Sequence, residues 1–459
     1  MLNKNKEQLF FSKQNSFIFI SIIYIFIFYY LNISHNLKAQ CDEHFHLRQT
    51  IYYRNNLYLY YTKRLTTFPG TFLVTQLYMR LLNKGYIGIK NKQLRKRYID
   101  NELTQEEFKN YLFDARIMAV FFSILSLFIL SKIKTKSYYF LFTISFLPIK
   151  FLYSFLIYTE NTSLLFLIIY YYFTHYKTTN QLNLFFICFL MILMRQTNII
   201  WTNYLPLIEV FQLIYHINLD IKTQFIKAMN ILKKYIYVLI LDIVMIIFYF
   251  LNEKSFVISS KKFHPLKIHI AQIIHFSFHF LFHFPCFHFK LFEMLKKVKN
   301  IKKMIKWILT SLLLYIIYQV SLNWNCKPCN NLLPERHYND IYFGTIFCNK
   351  KYRNILIIYL SLIFGAFISD DFNLFNNAKI VSWLFCSALS CMFEGYVEVR
   401  YFLPCFIFLI LIINDFNNEG KGENFGYYLY NNYINCIFSI CEDYFLIKNL
   451  ITSPYYRVY

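Results

Sequence analysis

The sequence predicts an all-α polytopic membrane protein. Of 459 residues, 57% are hydrophobic, 21% aromatic and only 16% charged. The mean hydropathy is +0.35. Apolar runs recur from residue 17 to residue 447 with no long polar interval after residue 115. Where water is excluded, a chain must satisfy its own backbone, which favours apolar helices over a set of soluble domains. Nine Gly and nine Pro exclude collagen-like and disordered chains.

The charge balance is 48 basic against 25 acidic residues, a formal +23. In a soluble protein this points to nucleic acid. Here the lysines cluster in short loops between apolar runs, as the positive-inside tendency demands, and no nucleic-acid motif stands out. The expected partner is therefore the lipid bilayer and not nucleic acid. The eleven cysteines fall mostly inside apolar runs, where a thiol behaves as a small hydrophobe. Cys326 and Cys329 form a lone C-x-x-C without the second ligand pair that a structural zinc site needs.

A spanning helix needs about 20 mainly apolar residues. Residues 1–15 read as a cytoplasmic N-terminus carrying Lys4, Lys6 and Lys13, and residues 16–33 as the first transmembrane helix. The apolar stretch is longer than a signal-peptide core and no small-x-small cleavage site follows, so the helix is expected to be retained. Residues 34–114 read as a long polar loop on the far side of the membrane, 115–447 as a multi-span bundle and 448–459 as a C-terminal tail. Apolar segments near 115–131, 138–157, 162–174, 182–200, 201–215, 235–251, 268–289, 305–322, 354–369, 379–393, 401–414 and 434–447 bring the expectation to about 12 to 14 transmembrane segments.

The loops around Lys132, Lys134 and Lys136, around Lys177, from Lys222 to Lys234 and from Lys296 to Lys306 fall on one side if the spans alternate. That side is the cytoplasm. The opposite face then receives the loop 34–114, the corners at 158–161 and 195–198, and the loops 252–267 and 323–340.

On that face stands Cys41-Asp42-Glu43-His44-Phe45-His46, two adjacent carboxylates with two imidazoles at a membrane boundary. A carboxylate beside low-dielectric lipid is suited to act as a general base. Adjacent side chains diverge, so one of Asp42 and Glu43 points at the reacting atoms. Leu65 to Gly70, Tyr158 to Asn161, Arg195 to Asn198, Asn252 to Ser255 and Glu335 to Tyr338 lie on the same face. Singly, each can be a helix cap or a snorkelling side chain. Together, cations and carboxylates on one face suit an anionic, membrane-anchored substrate.

Cys-Asp-Glu-His-Phe-His at 41–46, Thr-Thr-Phe-Pro-Gly at 66–70, Tyr-Thr-Glu at 158–160, Arg-Gln-Thr-Asn-Ile at 195–199, Arg-His-Tyr at 336–338 and Val-Arg-Tyr-Phe at 399–402 follow one another in order. In this the chain resembles the dolichyl-phosphate-glucose-dependent α-1,2-glucosyltransferases of N-glycan precursor assembly. The resemblance implies a GT-C-type transmembrane helix bundle with a long first lumenal loop, a multi-pass place in the endoplasmic reticulum membrane and a lumenal active site. It also implies an inverting transfer from dolichyl phosphate glucose to a dolichyl-diphosphate-linked oligosaccharide, with no cofactor and no metal. Asp42, the first carboxylate of the motif, is the first choice as catalytic base and Glu43 the alternative. His46, Thr67, Glu160, Arg195, Gln196, Asn198, Lys254, Arg336, His337, Glu398, Arg400 and Tyr401 are the residues it assigns to substrate binding.

The chain departs from the family pattern in places. Cys41 and His44 stand where Met and Ile are usual, Asn252-Glu253-Lys254 replaces Gly-Asp-Lys, Val399 replaces a proline, and Pro334-Glu335 replaces Asp-Asn. Two other readings stay open from the residues alone, a mannosyltransferase of the same architecture using dolichyl phosphate mannose, and a secondary transporter. The polar motifs sit at segment ends and no internal repeat is found, which speaks against a transporter.

Overall fold

The computed structural model describes residues 13–40, 42–62, 65–81, 104–135, 140–177, 180–215, 220–258, 272–284, 288, 291, 295–296, 300–325, 349–369, 377–392, 399–418 and 433–452. Every regular element among them is helical. The chain divides into two compact units, one of residues 1–202, 234–264 and 439–459, the other of 203–233 and 265–438.

The first unit begins with α1 (Lys13–Tyr29), which buries Ser16, Ile20, Tyr24 and Phe28 at a spacing of four. Ile18, Phe19, Ile22, Ile25 and Phe26 are exposed on its other sides. A helix with one buried stripe and apolar side chains elsewhere is built for lipid. A short π-helical turn, Tyr30–Ser34, ends it. Then come α2 (Glu43–Arg54) and α3 (Gly70–Leu81), packed on each other. The described residues of the stretch 34–114 thus carry helices. Nine of the twelve α2 residues are buried, among them Glu43, His46, Gln49 and Arg54, and polar side chains with internal partners read as loop on any hydropathy scale.

Helix α4 (Gln105–Lys132) starts at a capping box. The Thr104 hydroxyl accepts from Glu107 N at 3.2 Å while the Glu107 carboxylate accepts from Thr104 N at 3.0 Å. Its far end is tied to the start of α1, where Lys13 Nζ donates to Ile133 O at 2.8 Å. Within the apolar stretch 138–157, the described residues form two short helices, α5 (Phe140–Ser145) and α6 (Pro148–Tyr153), where a single span is expected. Leu147 is extended at φ −63° and ψ 115° because the ring of a following proline disfavours the helical region.

Helices α7 (Thr159–Tyr176), α8 (Gln181–Met194) and the short α9 (Asn198–Thr202) follow. Helix α7 packs on both α4 and α8. Gly70, opening α3, lies against the C-terminal end of α8, where an added Cβ would come within 2.5 Å of the Leu193 carbonyl oxygen. Backbone cannot yield as a side chain can, so Gly70→Ala is expected to cost about 1 to 3 kcal/mol by overpacking. A lowered midpoint of thermal unfolding in detergent is the measurement.

The second unit contains α10 (Tyr204–Tyr215) and most of α11 (Ile221–Lys234). Helix α12 (Ile236–Leu251) returns to the first unit and packs on α8. The second unit continues with α13 (Gln272–His283), α14 (Ile301–Asn325), α15 (Lys350–Ser369), α16 (Ala378–Met392), a 3₁₀ turn (Val399–Phe402) and α17 (Leu403–Asn418). Trp307 Nε1 donates to Leu362 O at 2.9 Å, joining α14 to α15. Trp383 Nε1 donates to Cys405 O at 2.8 Å, joining α16 to α17. Helix α18 (Tyr433–Thr452) ends the described chain. Cys188, Cys386, Cys391 and Cys405 are buried, small hydrophobes as expected.

Among the described residues three helices are long and apolar enough to cross a membrane, Lys13–Ser34, Gln105–Lys132 and Ile301–Val320. A fourth is obtained if Lys222–Lys234 and Ile236–Leu251 count as one interrupted span. Gln181–Met194, Tyr204–Tyr215, Ala378–Cys391 and Leu403–Asp415 are apolar but shorter. At 1.5 Å per residue, a helix of about 14 residues reaches about 21 Å, less than the roughly 30 Å hydrocarbon core. The protein is a helical membrane protein, and these helices give three or four full crossings against the 12 to 14 expected.

Candidate active site

Five of the polar segments singled out in the sequence meet in the first unit. The junction is centred on Tyr158, which precedes α7. Its hydroxyl accepts from Asp42 N at 3.1 Å and donates to Gln40 O at 3.3 Å. His46, buried on α2, sets Nδ1 2.9 Å from Ile157 O, and its ring lies edge-on to Phe72 and Tyr158. These contacts seat the first turn of α2 on the corner before α7.

The two adjacent carboxylates have different surroundings. Glu43 is fully buried and paired with Arg116 of α4, with Arg116 Nη2 2.5 Å from Oε2 and Nε 3.0 Å from Oε1. The same carboxylate accepts from Gln40 N at 2.8 Å and from Ile157 N at 2.9 Å. Asp42 occupies the N-cap position and is partly exposed, and its side chain does not cap the helix. Successive residues at a helix start point apart, which gives neighbours of one chemistry two environments.

The Thr66–Gly70 run is held from three directions. Gln196 Nε2 donates to Thr66 O at 3.0 Å and Ile258 N approaches the same oxygen at 3.4 Å. The Tyr61 hydroxyl donates to Thr67 O. Burial pushes the Tyr61 phenol up, with the nearby Tyr53 adding to the shift, and burial raises Tyr53 itself to about 12. Phe68 packs edge-on against Phe248 of α12, and Thr71 shares a 2.6 Å hydrogen bond with Thr162 of α7.

Arg195, at the C-cap of α8, pairs with Glu160 of α7 at 3.1 Å, with both side chains almost wholly buried. Asn198 is fully buried, donating to Ser163 Oγ at 2.8 Å and Met191 O at 2.7 Å. It staples α9 to α7 and α8. Two polar atoms in this region, Thr67 Oγ1 and Gln196 Oε1, are buried with no hydrogen-bond partner among the described residues. Such atoms are rare in folded chains and call for a ligand or water.

Lys254 is exposed in a turn where Glu253 and Lys254 take φ of 55° and 57°. The family pattern has Gly one position earlier, at Asn252, whose Nδ2 instead holds Ser255 O and Val257 O, each at 2.8 Å. In the second unit, Arg400 and Tyr401 stand on the 3₁₀ turn, Tyr401 half-buried. Arg336, His337 and Glu398 lie outside the described residues, as do Cys326 and Cys329.

Arg116 is the site residue that motif reading misses. It stands at the start of an apolar run, and a guanidinium there needs a partner. That was the available signal, although it does not name Glu43.

The residues 37–411 match the model of the DIE2/ALG10 family. No curated protein and no solved structure matches the chain. The match opens just before the Asp42-Glu43 pair and runs through all five of the joined segments, over well more than half of the chain. The chain thus belongs to the DIE2/ALG10 family and is a membrane glycosyltransferase.

Proposed function

We propose that the protein moves glucose from dolichyl phosphate glucose to the terminal glucose of a diglucosylated, dolichyl-diphosphate-linked oligosaccharide, forming an α-1,2 linkage at the lumenal face of the endoplasmic reticulum membrane. The observation that carries the mechanism is the division of labour between neighbouring carboxylates. Glu43 has its lone pairs engaged by Arg116, Gln40 N and Ile157 N, whereas Asp42 is partly exposed beside Tyr158.

In this reading Asp42 takes the proton of the acceptor hydroxyl as that oxygen attacks the anomeric carbon from the face opposite the phosphate. The new C–O bond forms while the bond to the phosphate oxygen breaks, and dolichyl phosphate departs as an anion. Configuration inverts and no covalent sugar intermediate is needed. The leaving group needs positive charge more than a proton. In the first unit Arg195 and Lys254 are its candidate partners, and Thr67, Gln196 and Glu160 are candidates for sugar hydroxyls; Arg336, His337, Glu398, Arg400 and Tyr401 keep the substrate-binding role that the family resemblance implies. His46 and Asn198 support the site from behind through the contacts already described.

Microsomes containing the protein, supplied with the acceptor and either dolichyl phosphate glucose or dolichyl phosphate mannose, test the reading. Transfer of glucose supports it, while transfer of mannose alone assigns the chain to the other branch of the architecture. Transfer is also expected to survive a strong chelator, because arginine, lysine and histidine can neutralise the leaving phosphate. Full loss with EDTA and restoration by a divalent ion would make Asp42, Glu43, His44 and His46 candidate ligands instead.

A further inference from the structure

We infer that Arg116 is a positioning residue that holds Asp42 in register for catalysis. The inference rests on the reading of Asp42 as the base. Arg116 is fully buried in α4. Its Nε donates to Glu43 Oε1 at 3.0 Å. Nη1 donates to Asn32 Oδ1 and Leu37 O, each at 2.8 Å. Nη2 donates to Lys38 O at 2.9 Å and Glu43 Oε2 at 2.5 Å. A guanidinium has five N–H donors, and here each has an acceptor.

Those acceptors come from the turn ending α1, the linker at 37–38 and the first turn of α2. One side chain thus fixes the path by which the chain leaves the first membrane helix and enters the helix bearing Asp42. Glu43 completes the clasp from the other side by accepting from Gln40 N and Ile157 N. With every donor and lone pair used, neither group has capacity left to bind substrate or carry a proton. Their effect must pass through what they hold.

What they hold includes Asp42, the residue immediately before Glu43. The Asp42 N–H is on Tyr158 Oη, and its carbonyl accepts from Phe45 N at 2.9 Å and His46 N at 3.1 Å. Its main chain is therefore fixed by Tyr158 and by the start of α2, and the clasp fixes that start. A buried ion pair is often no better for stability than apolar residues of similar volume. The rigid fork of arginine is suited instead to fixing orientation, and misplacing a reacting group by about 1 Å can cost about 10²-fold in rate.

The test uses the full chain in membranes, with transfer rates normalised to the protein present. It compares Arg116→Lys, Asp42→Asn and the double variant. Arg116→Lys is expected to lower kcat roughly tenfold or more with the KM for dolichyl phosphate glucose within about twofold. In the Asp42→Asn background the same change is expected to cause no further loss, because a residue acting only through Asp42 has nothing left to position. An unchanged kcat, a raised KM at unchanged kcat, or an equal fold-loss in both backgrounds overturns the positioning role. Should Arg116→Lys fail to accumulate, Glu43→Gln takes its place in the same comparison, with the same expectations and the same overturning results. Failure of the underlying reading shows separately, as near-parental turnover of Asp42→Asn alone.

Discussion

Asp42→Asn is expected to lower glucose transfer by about 10² to 10⁴-fold, the usual worth of a general base, while the protein remains in the membrane. The substitution removes the proton acceptor and keeps the shape. The main-chain contacts of Asp42, to Tyr158 Oη, Phe45 N and His46 N, survive the change. The readout is turnover of radiolabelled donor at saturating acceptor, normalised to protein. Turnover within a few fold of the parent would remove Asp42 as the base. A large loss with Glu43→Gln and near-parental Asp42→Asn would move the role to Glu43, although its carboxylate already accepts two bonds from Arg116 and two from main-chain N–H groups.

The Arg195–Glu160 pair carries the second large effect. Its side chains are 6% and 3% exposed, so solvent gives little compensation when one partner is lost. Arg195→Leu removes the cation paired with the buried Glu160 carboxylate, at an expected cost of about 3 to 5 kcal/mol in stability. Arg195→Lys keeps the charge but gives up the planar fork. Its expected loss is about 1.5 to 3 kcal/mol, the worth of a hydrogen bond to a charged group, or roughly tenfold or more in kcat/KM if the fork also grips the donor phosphate. Thermal unfolding in detergent and donor titration measure the two. Arginine merely reaching for solvent predicts a silent lysine variant, an outcome hard to square with its burial against Glu160.

Some of this was legible in the sequence and some was not, for identifiable reasons. The apolar run at 16–33 emerges as α1, while its buried stripe of Ser16, Ile20, Tyr24 and Phe28 does not stand out in a sequence apolar on every side, even though a helix returns to the same face about every four residues. Hydropathy reads residues 138–157 as one span because it averages over side chains, while the break depends on the backbone of Leu147 before Pro148. It reads 34–114 as polar because Glu43, Gln49 and Arg54 are polar, and burial in α2 depends on partners far away in the chain. For the site, the motifs themselves were visible, and the structure brings Asp42, Thr67, Glu160, Arg195, Gln196 and the 252–258 turn into one unit. Their pairings were not visible, since Glu43 to Arg116 spans 73 residues and Gln196 to Thr66 spans 130.

Much of the site is fastened by side chain to main chain. His46 meets Ile157 O, Glu43 meets Gln40 N and Ile157 N, Gln196 meets Thr66 O, and Tyr61 meets Thr67 O. A peptide group is the same whatever residue bears it, so positions 40, 66 and 157 are free to drift as far as these contacts are concerned. Arg116–Glu43, Arg195–Glu160, Thr71–Thr162 and Asn198–Ser163 have no such freedom, because each joins two side chains. Across diverging members of the family, correlated change should concentrate at those four pairs and be weak at 40, 66 and 157. A chain held together in this way can exchange Cys41 or His44 for other residues while the fastening of its carboxylate helix is inherited intact.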